Sequence, residues 1–154
     1  MQQLKILKKK EVKELIASFK EQWGFSGELT YAFLQSVKDK MYIVNHDIDR
    51  IDLSKLRIDK VGLYFCTIVN QNEMRLSIEG SQIIGPRATK NIVELDYVEM
   101  KEWLQGLDIV KEVDARGFVI LKHGNDYLGS GKVKDGKIFN YIPKARRIKT
   151  SLAP

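Results

Sequence analysis

Residues 117–144 read GFVILKHGNDYLGSGKVKDGKIFNYIPK, and this stretch decides the fold class. Three runs rich in β-formers, 117–122, 126–134 and 137–142, are separated by Gly124-Asn125 and Asp135-Gly136. Both dipeptides tolerate the positive φ that a tight hairpin turn requires, so the spacing predicts a β-meander. Pro143 offers no backbone N–H, which ends the third strand and leaves 144–149 as a separate basic segment. Inside the middle run, Leu128-Gly129-Ser130-Gly131-Lys132 looks like a phosphate loop but fails its spacing. A Walker A loop needs glycine where Asp126 stands and a hydroxyl residue where Val133 stands. A dinucleotide fingerprint starting at Gly129 also fails, because it requires glycine or alanine at Lys134 and a strand-to-helix turn. The glycines are read instead as letting a barrel strand bend and another backbone come close.

Upstream of the meander, 91–95 reads as a strand and Asp96 as a helix cap, with Glu99 placed to reach back to its amide. Met100, Trp103, Leu104 and Leu107 form the apolar stripe of that helix, and Gly106 supplies a left-handed stop. Gly85-Pro86 punctuates the chain further back, and the expected domains are 1–86 and 87–154. In the first half, Val12, Leu15, Ile16, Phe19 and Trp23 recur at spacings of three and four, which predicts a helix over 8–22 ending at Gly24. Two apolar runs, 31–37 and 41–44, read as a strand pair or as a helix edge followed by a strand. A short helix is expected over 48–56, then a central strand over 61–69, with Cys66 buried in it as a small hydrophobe. No Ser/Gly linker separates the halves, so they are expected to pack together.

The composition, 44% hydrophobic and 30% charged, is that of a soluble globular protein, and no apolar run reaches the roughly 18 residues of a membrane span. Lys8, Lys9 and Lys10 are followed by charged residues where a signal peptide needs an apolar core, so a cytoplasmic location is expected. A single cysteine excludes an intrachain disulfide. Asn45, His46, Asp47 and Asp49 have no recognised ligand spacing, and His123 reads as an exposed loop residue beside the Gly124 turn. No catalytic set, metal or cofactor is expected.

Charge is unevenly placed. Lys132, Lys134, Lys137, Lys144, Arg146, Arg147 and Lys149 stand against Asp135 alone, a local +6 that equals the formal net charge of the whole chain. The counterweight is 94–114, with seven carboxylates against Lys101 and Lys111, so two surfaces of opposite sign are expected. The basic segment includes Tyr141, an aromatic ring able to stack on a base among cations able to bind phosphates. That combination points to RNA, against the blander reading of a merely solvated face. It also gives the glycines at 129 and 131 an alternative use, the close approach of an RNA backbone.

Residues 91–147 resemble PUA domains, small pseudo-barrels of RNA-modifying enzymes and ribosome-assembly proteins. The likeness lies in Gly117-Phe118-Val119-Ile120, Leu128-Gly129-Ser130-Gly131-Lys132 and Asn140-Tyr141-Ile142-Pro143-Lys144. With Trp103-Leu104-Gln105-Gly106 these look like the C-terminal module of Sun/Fmu-type rRNA cytosine-5 methyltransferases. The first half, mainly 76–90, is similar to the pre-PUA domain of an archaeal and eukaryotic ribosome-assembly factor family. The resemblance implies an α+β protein: an N-terminal α/β pre-PUA-like domain, then a PUA-like β pseudo-barrel with one short helix. It does not bring a methyltransferase catalytic domain, and the Pro-Cys nucleophile pair is missing, since Cys66 follows Phe65. The expected function is non-catalytic binding of structured rRNA or tRNA in processing, modification or ribosome assembly. Lys132, Lys134, Lys144, Arg146 and Arg147 are assigned to phosphates, Tyr141 to stacking or packing, and Arg87 and Lys90 to an extension of the same surface. The alternative is an adaptor that docks a separate RNA methyltransferase or assembly factor through the acidic helix 96–107. Neither membrane nor DNA is expected as a partner.

Overall fold

The computed structural model describes residues 4–44 and 62–149. The expected helix 48–56, the cluster Asn45, His46, Asp47 and Asp49, and Val61 of the expected strand 61–69 lie outside them. Helix α1 (Lys9–Trp23) follows its apolar stripe: Leu15, Phe19 and Trp23 are buried, and Val12 and Ile16 pack at the margin. The Lys8 N–H donates to Glu11 Oε1 at 3.0 Å where the helix starts. Gly24, at φ 63°, ends the helix by donating its N–H to the Lys20 carbonyl.

The helix packs on a five-stranded sheet of order β1-β2-β3-β4-β5, every neighbouring pair antiparallel. Its strands are β1 (Leu4–Ile6), β2 (Ala32–Ser36), β3 (Lys40–Val44), β4 (Leu63–Asn70) and β5 (Glu73–Leu76). The two runs around 38–40 are therefore a strand pair, turned at Asp39 with φ 60°. Phe65 on β4 is the centre of the packing, 5.5 Å from Phe19 and 5.8 Å edge-on from Phe33 between ring centroids. Cys66 beside it is fully buried, and burial pushes its thiol pKa up, so it stays protonated at neutral pH.

After β5 the chain makes a helix that the apolar positions of 75–85 did not specify. Ser77 caps α2 (Ile78–Ile84), its Oγ accepting from the Gly80 N–H at 2.9 Å. A 3-10 turn, Gly85–Arg87, follows. The second sheet has the order β6-β8-β9-β10-β7. It contains β6 (Ile92–Glu94), β7 (Ile109–Val110), β8 (Gly117–His123), β9 (Asp126–Lys134) and β10 (Lys137–Asn140). Strands β8, β9 and β10 form the expected meander, with Gly124 at φ 59° and Asp135-Gly136 at φ 53° and 74°. Strand β6 lies parallel to β8, and the crossover between them contains α3 (Tyr97–Leu104). Asp96 accepts from the Glu99 N–H at 2.8 Å and Glu99 from the Asp96 N–H at 2.9 Å, the reciprocal cap expected from the sequence. The whole is α+β.

Trp103 of α3 anchors the second core: it is fully buried and its Nε1–H donates to the Leu128 carbonyl at 2.9 Å. This is what the glycines of β9 permit. A Cβ on Gly131 would stand 2.6 Å from both Trp103 and Ile138, and Gly129 is held at φ 91° against Ile78. The structure thus supports the reading in which they bend a strand and let neighbours come close.

The two sheets meet through α2 and β9. Leu76 donates its N–H to Ser130 Oγ at 3.1 Å, and Gly129 donates its own to Ser81 Oγ at 2.9 Å. Ile120 and Tyr127 of the second sheet pack into the core of the first. One reading is corrected: His123 is half-buried at the end of β8, its Nδ1 donating to the Leu95 carbonyl at 2.8 Å.

Three outcomes follow for stability. Gly131→Ala overpacks the second core and lowers unfolding free energy in urea by about 2 kcal/mol, whereas Gly124→Ala, with open space around it, costs only the left-handed backbone penalty of about 1 kcal/mol. Equal costs would refute the packing argument. Ser130→Ala leaves the buried Leu76 amide unsatisfied and costs about 2 kcal/mol in the same assay. Ellman's reagent reaches Cys66 only as the protein unfolds; rapid labelling of the native state would show that the thiol is not enclosed as described.

Candidate nucleic-acid interface

The end of β10 shows how local sequence aims a side chain. Asn140 accepts the Ile142 N–H at 2.8 Å and donates its amide to the carbonyls of Trp103 and Leu107, at 2.8 and 2.9 Å. Its own N–H goes to Asp108 at 2.8 Å. So held, Ile142 enters the core at 3% exposure while Tyr141 is turned outward at 41%. Pro143 then leads into a 3-10 turn, Lys144–Arg146, and Ile148 donates back to the Leu104 carbonyl at 2.8 Å. The Asn140 to Lys144 phrase is a structural buckle that also presents a ring.

Around Tyr141 the two sheets together build an interleaved row of rings and cations. Tyr141 meets Phe118 at 5.4 Å between centroids, and the Arg75 guanidinium from β5 lies 4.6 Å from the Tyr141 ring centre and 5.8 Å from that of Phe118. Lys132 also reaches Phe118, its Nζ 5.5 Å from the ring centroid. Phe139 pairs with Lys132 across β9 and β10, and Lys137 Nζ lies 5.4 Å from its ring. Each contact of this kind contributes about 0.5–1 kcal/mol at an exposed site, enough to orient a cation without consuming its charge. Lys134 shares the face of Lys132 by strand alternation, opposite Val133, which packs on the second core.

Next to this row lies a cleft of about 320 Å³ between the halves. Lys40, Tyr64 and Arg75 line it from the first sheet, and Tyr141 and Arg146 from the segment that follows β10. Lys40 Nζ is 5.6 Å from the Tyr64 ring centre. Arg146 Nη1 is held by both carboxylate oxygens of Glu79 at the rim. Among the described residues no carboxylate lies within ion-pair distance of Arg75.

The eight residues singled out from sequence are therefore divided. Lys132 and Tyr141 meet at Phe118, Lys134 extends their face, and Lys144 is exposed on the adjoining turn. Arg146 shares the cleft with Tyr141 but is paired. Arg147 is half-buried across Gly106 and donates Nε–H to the Ile142 carbonyl at 2.9 Å, fastening the C-terminal segment. Arg87 and Lys90 lie elsewhere, beside the end of α1: Arg87 covers Gly27 and Lys90 donates its N–H to the Trp23 carbonyl. Gly85, two residues before Arg87, lies against Tyr127, roughly 17 Å along β9 from Lys132. Sequence reasoning missed Lys40, Tyr64, Arg75, Phe118 and Phe139. Phe118 carried a signal within the Gly117 to Ile120 phrase, as did Lys137 within the basic run, whereas Lys40, Tyr64, Arg75 and Phe139 carried none. The acidic counterweight is partly neutralised: Glu99 pairs with Lys111 at 3.0 Å and Asp108 with Lys137 at 3.6 Å.

Among the described residues no helix is long and apolar enough to cross a membrane, and no cluster of three or more His, Cys, Asp or Glu is placed to hold a metal.

Comparison with known proteins agrees with this architecture. The family described as "Methyltransferase RsmF PUA domain" matches residues 90–148. "Ribosomal RNA small subunit methyltransferase F" of Aeromonas salmonicida is 28% identical over 107 residues, 69% of this chain and 22% of that protein. The protein of the same name from Aeromonas hydrophila is 32% identical over 91 residues, 58% of this chain and 19% of its own. The Vibrio cholerae protein is 26% identical over 93 residues, 60% and 20%. The chain thus spans about a fifth of the length of these curated relatives. An alignment of 107 residues is longer than 90–148, and few residues follow 148, so the likeness reaches back into the first sheet. Residues 90–148 thus match a PUA-domain family and resemble the C-terminal module of Sun/Fmu-type rRNA methyltransferases.

Proposed function

We propose that this chain is a non-catalytic RNA-binding unit that acts on structured RNA, rRNA or tRNA, in modification, processing or ribosome assembly. Small-subunit rRNA is the favoured target, because that is what the names of the relatives specify. The observation that carries the reading is the alternation of cations and rings along Lys137, Phe139, Lys132, Phe118, Arg75 and Tyr141. Phosphates favour the lysines, and an unpaired base favours the exposed ring of Tyr141, which the buried Phe118 supports from beneath. In this mechanism Lys132, Lys134 and Lys144 neutralise phosphates, Lys137 joins them from its pair with Asp108, and Tyr141 stacks. Arg146 joins when its pair with Glu79 opens. Arg147 contributes charge from a fixed structural position, and Arg87 with Lys90 forms a separate, secondary contact.

The same reading divides the chain into domains 1–86 and 87–154, places the protein in the cytoplasm and assigns it neither DNA nor a cofactor. It assigns the chemistry of modification to residues other than these, either elsewhere in a longer chain or in a partner.

A second reading has its own observation. Helix α3 exposes Tyr97 at 47% and Val98 at 62% within its acidic surroundings, which suits docking of a protein partner such as a methyltransferase or assembly factor. A Val98→Asp variant would then lose the partner and keep RNA.

Fluorescence anisotropy against salt tests the leading proposal. With about four phosphates neutralised, log affinity falls with log salt at a slope of roughly −3 to −4, taking the duplex DNA value. Lys132→Ala with Lys134→Ala reduces that slope by about 2. A salt-independent affinity, or a slope untouched by the double variant, would overturn the electrostatic mechanism.

A further inference from the structure

The cleft between the halves has features that phosphate binding does not explain. It is walled by a phenol ring from each half, Tyr64 and Tyr141, and it has a carboxylate, Glu79, on its rim. A carboxylate repels a phosphate, and rings add nothing to its neutralisation. Both suit a nucleobase, which stacks on aromatic faces and presents amino or imino N–H groups to an acceptor. Ser77 and Ile78 from one half and Gly129 and Ser130 from the other also line it. Its volume of about 320 Å³ lies at the lower end of small-ligand pockets, about 300–1,000 Å³, which fits one base with part of its sugar.

The surroundings favour an unpaired base on a continuous strand. Arg75 stacks on Tyr141 and reaches towards Phe118 and the Lys132 row, so a nucleotide in the cleft is flanked by the cations that hold its neighbours. The rim pair of Glu79 and Arg146 is partly solvated, with side-chain exposures of 25% and 47%, and such pairs are exchanged at low cost. In an A-form duplex the base edges are turned inward and the deep groove is closed to side chains, so duplex RNA cannot fill the cleft.

We propose that the cleft between the two halves, lined by Tyr64, Arg75, Glu79, Tyr141 and Arg146, receives one unpaired nucleobase bearing an amino group. The base stacks on Tyr141, Glu79 accepts from its amino group, and Arg146, released from Glu79, meets the adjacent phosphate. This rests on the RNA-binding reading and adds to it a requirement for single-stranded, unstacked RNA.

The test uses the full chain with three RNAs: ten cytidines, ten uridines, and a duplex of matching length. Each single strand also carries one central 2-aminopurine in a parallel sample. The expected result is quenching of 2-aminopurine on binding and preference for cytidine over uridine. Tyr141→Leu abolishes the quenching and weakens single-strand binding about tenfold, the size of one base–aromatic stack, with a loss at least fivefold smaller for the duplex. Glu79→Gln reduces the cytidine preference, a change that lost folding would not produce selectively. Unquenched 2-aminopurine, or equal losses for single strand and duplex, would overturn the cleft assignment while salt-sensitive binding of both RNAs upholds the broader reading. Absence of binding to any of the three would overturn both.

Discussion

The hydroxyl of Ser130 accepts the N–H of Leu76, and the rest of the molecular surface depends on that contact with its neighbour, the Gly129 N–H on Ser81. These bonds join strand β9 of one sheet to the end of β5 and to α2 beyond it. They are possible because the backbone at 129–131 has no side chain larger than a hydroxymethyl group. Gly129 turns through a left-handed conformation against Ile78, and Gly131 leaves room for Trp103 beneath. A larger residue at either position separates a core or a junction. With the two sheets fixed, Arg75 on β5 comes to rest on Tyr141 and Phe118, and the cleft beside them acquires walls from both halves.

Legibility followed periodicity. The stripe of Leu15, Phe19 and Trp23 identifies α1, the Asp96 and Glu99 pair identifies the start of α3, and two glycine turns identify the meander. Strands β1, β5 and β7 are four residues or fewer and contain too few alternations to stand out, and α2 is a seven-residue helix announced only by the Ser77 hydroxyl. Polar neighbours make His123 look exposed in the sequence, yet its ring is held by the Leu95 carbonyl, 28 residues away.

The candidate site was half legible for the same reason. A run of basic residues shows where charge is, and the ring at Tyr141 shows where stacking is possible. Neither shows which charges are already committed. Arg147 is committed to the Ile142 carbonyl and Arg146 to Glu79, while Arg75, isolated between buried Met74 and Leu76, becomes the central cation of the row. That role arises only from docking the two sheets, a contact between residues more than forty positions apart. The glycine phrase shared with PUA modules therefore has a mainly structural purpose, and the nucleic-acid surface is assigned to what the phrase brings together.

The account stands most directly on one experiment, ultraviolet crosslinking of the chain to a small-subunit rRNA transcript followed by mass spectrometry of the crosslinked peptides. It predicts adducts from both halves, within 63–79 and within 117–144, with Tyr141 among them. Adducts confined to α3, or to the neighbourhood of Arg87 and Lys90, would contradict it.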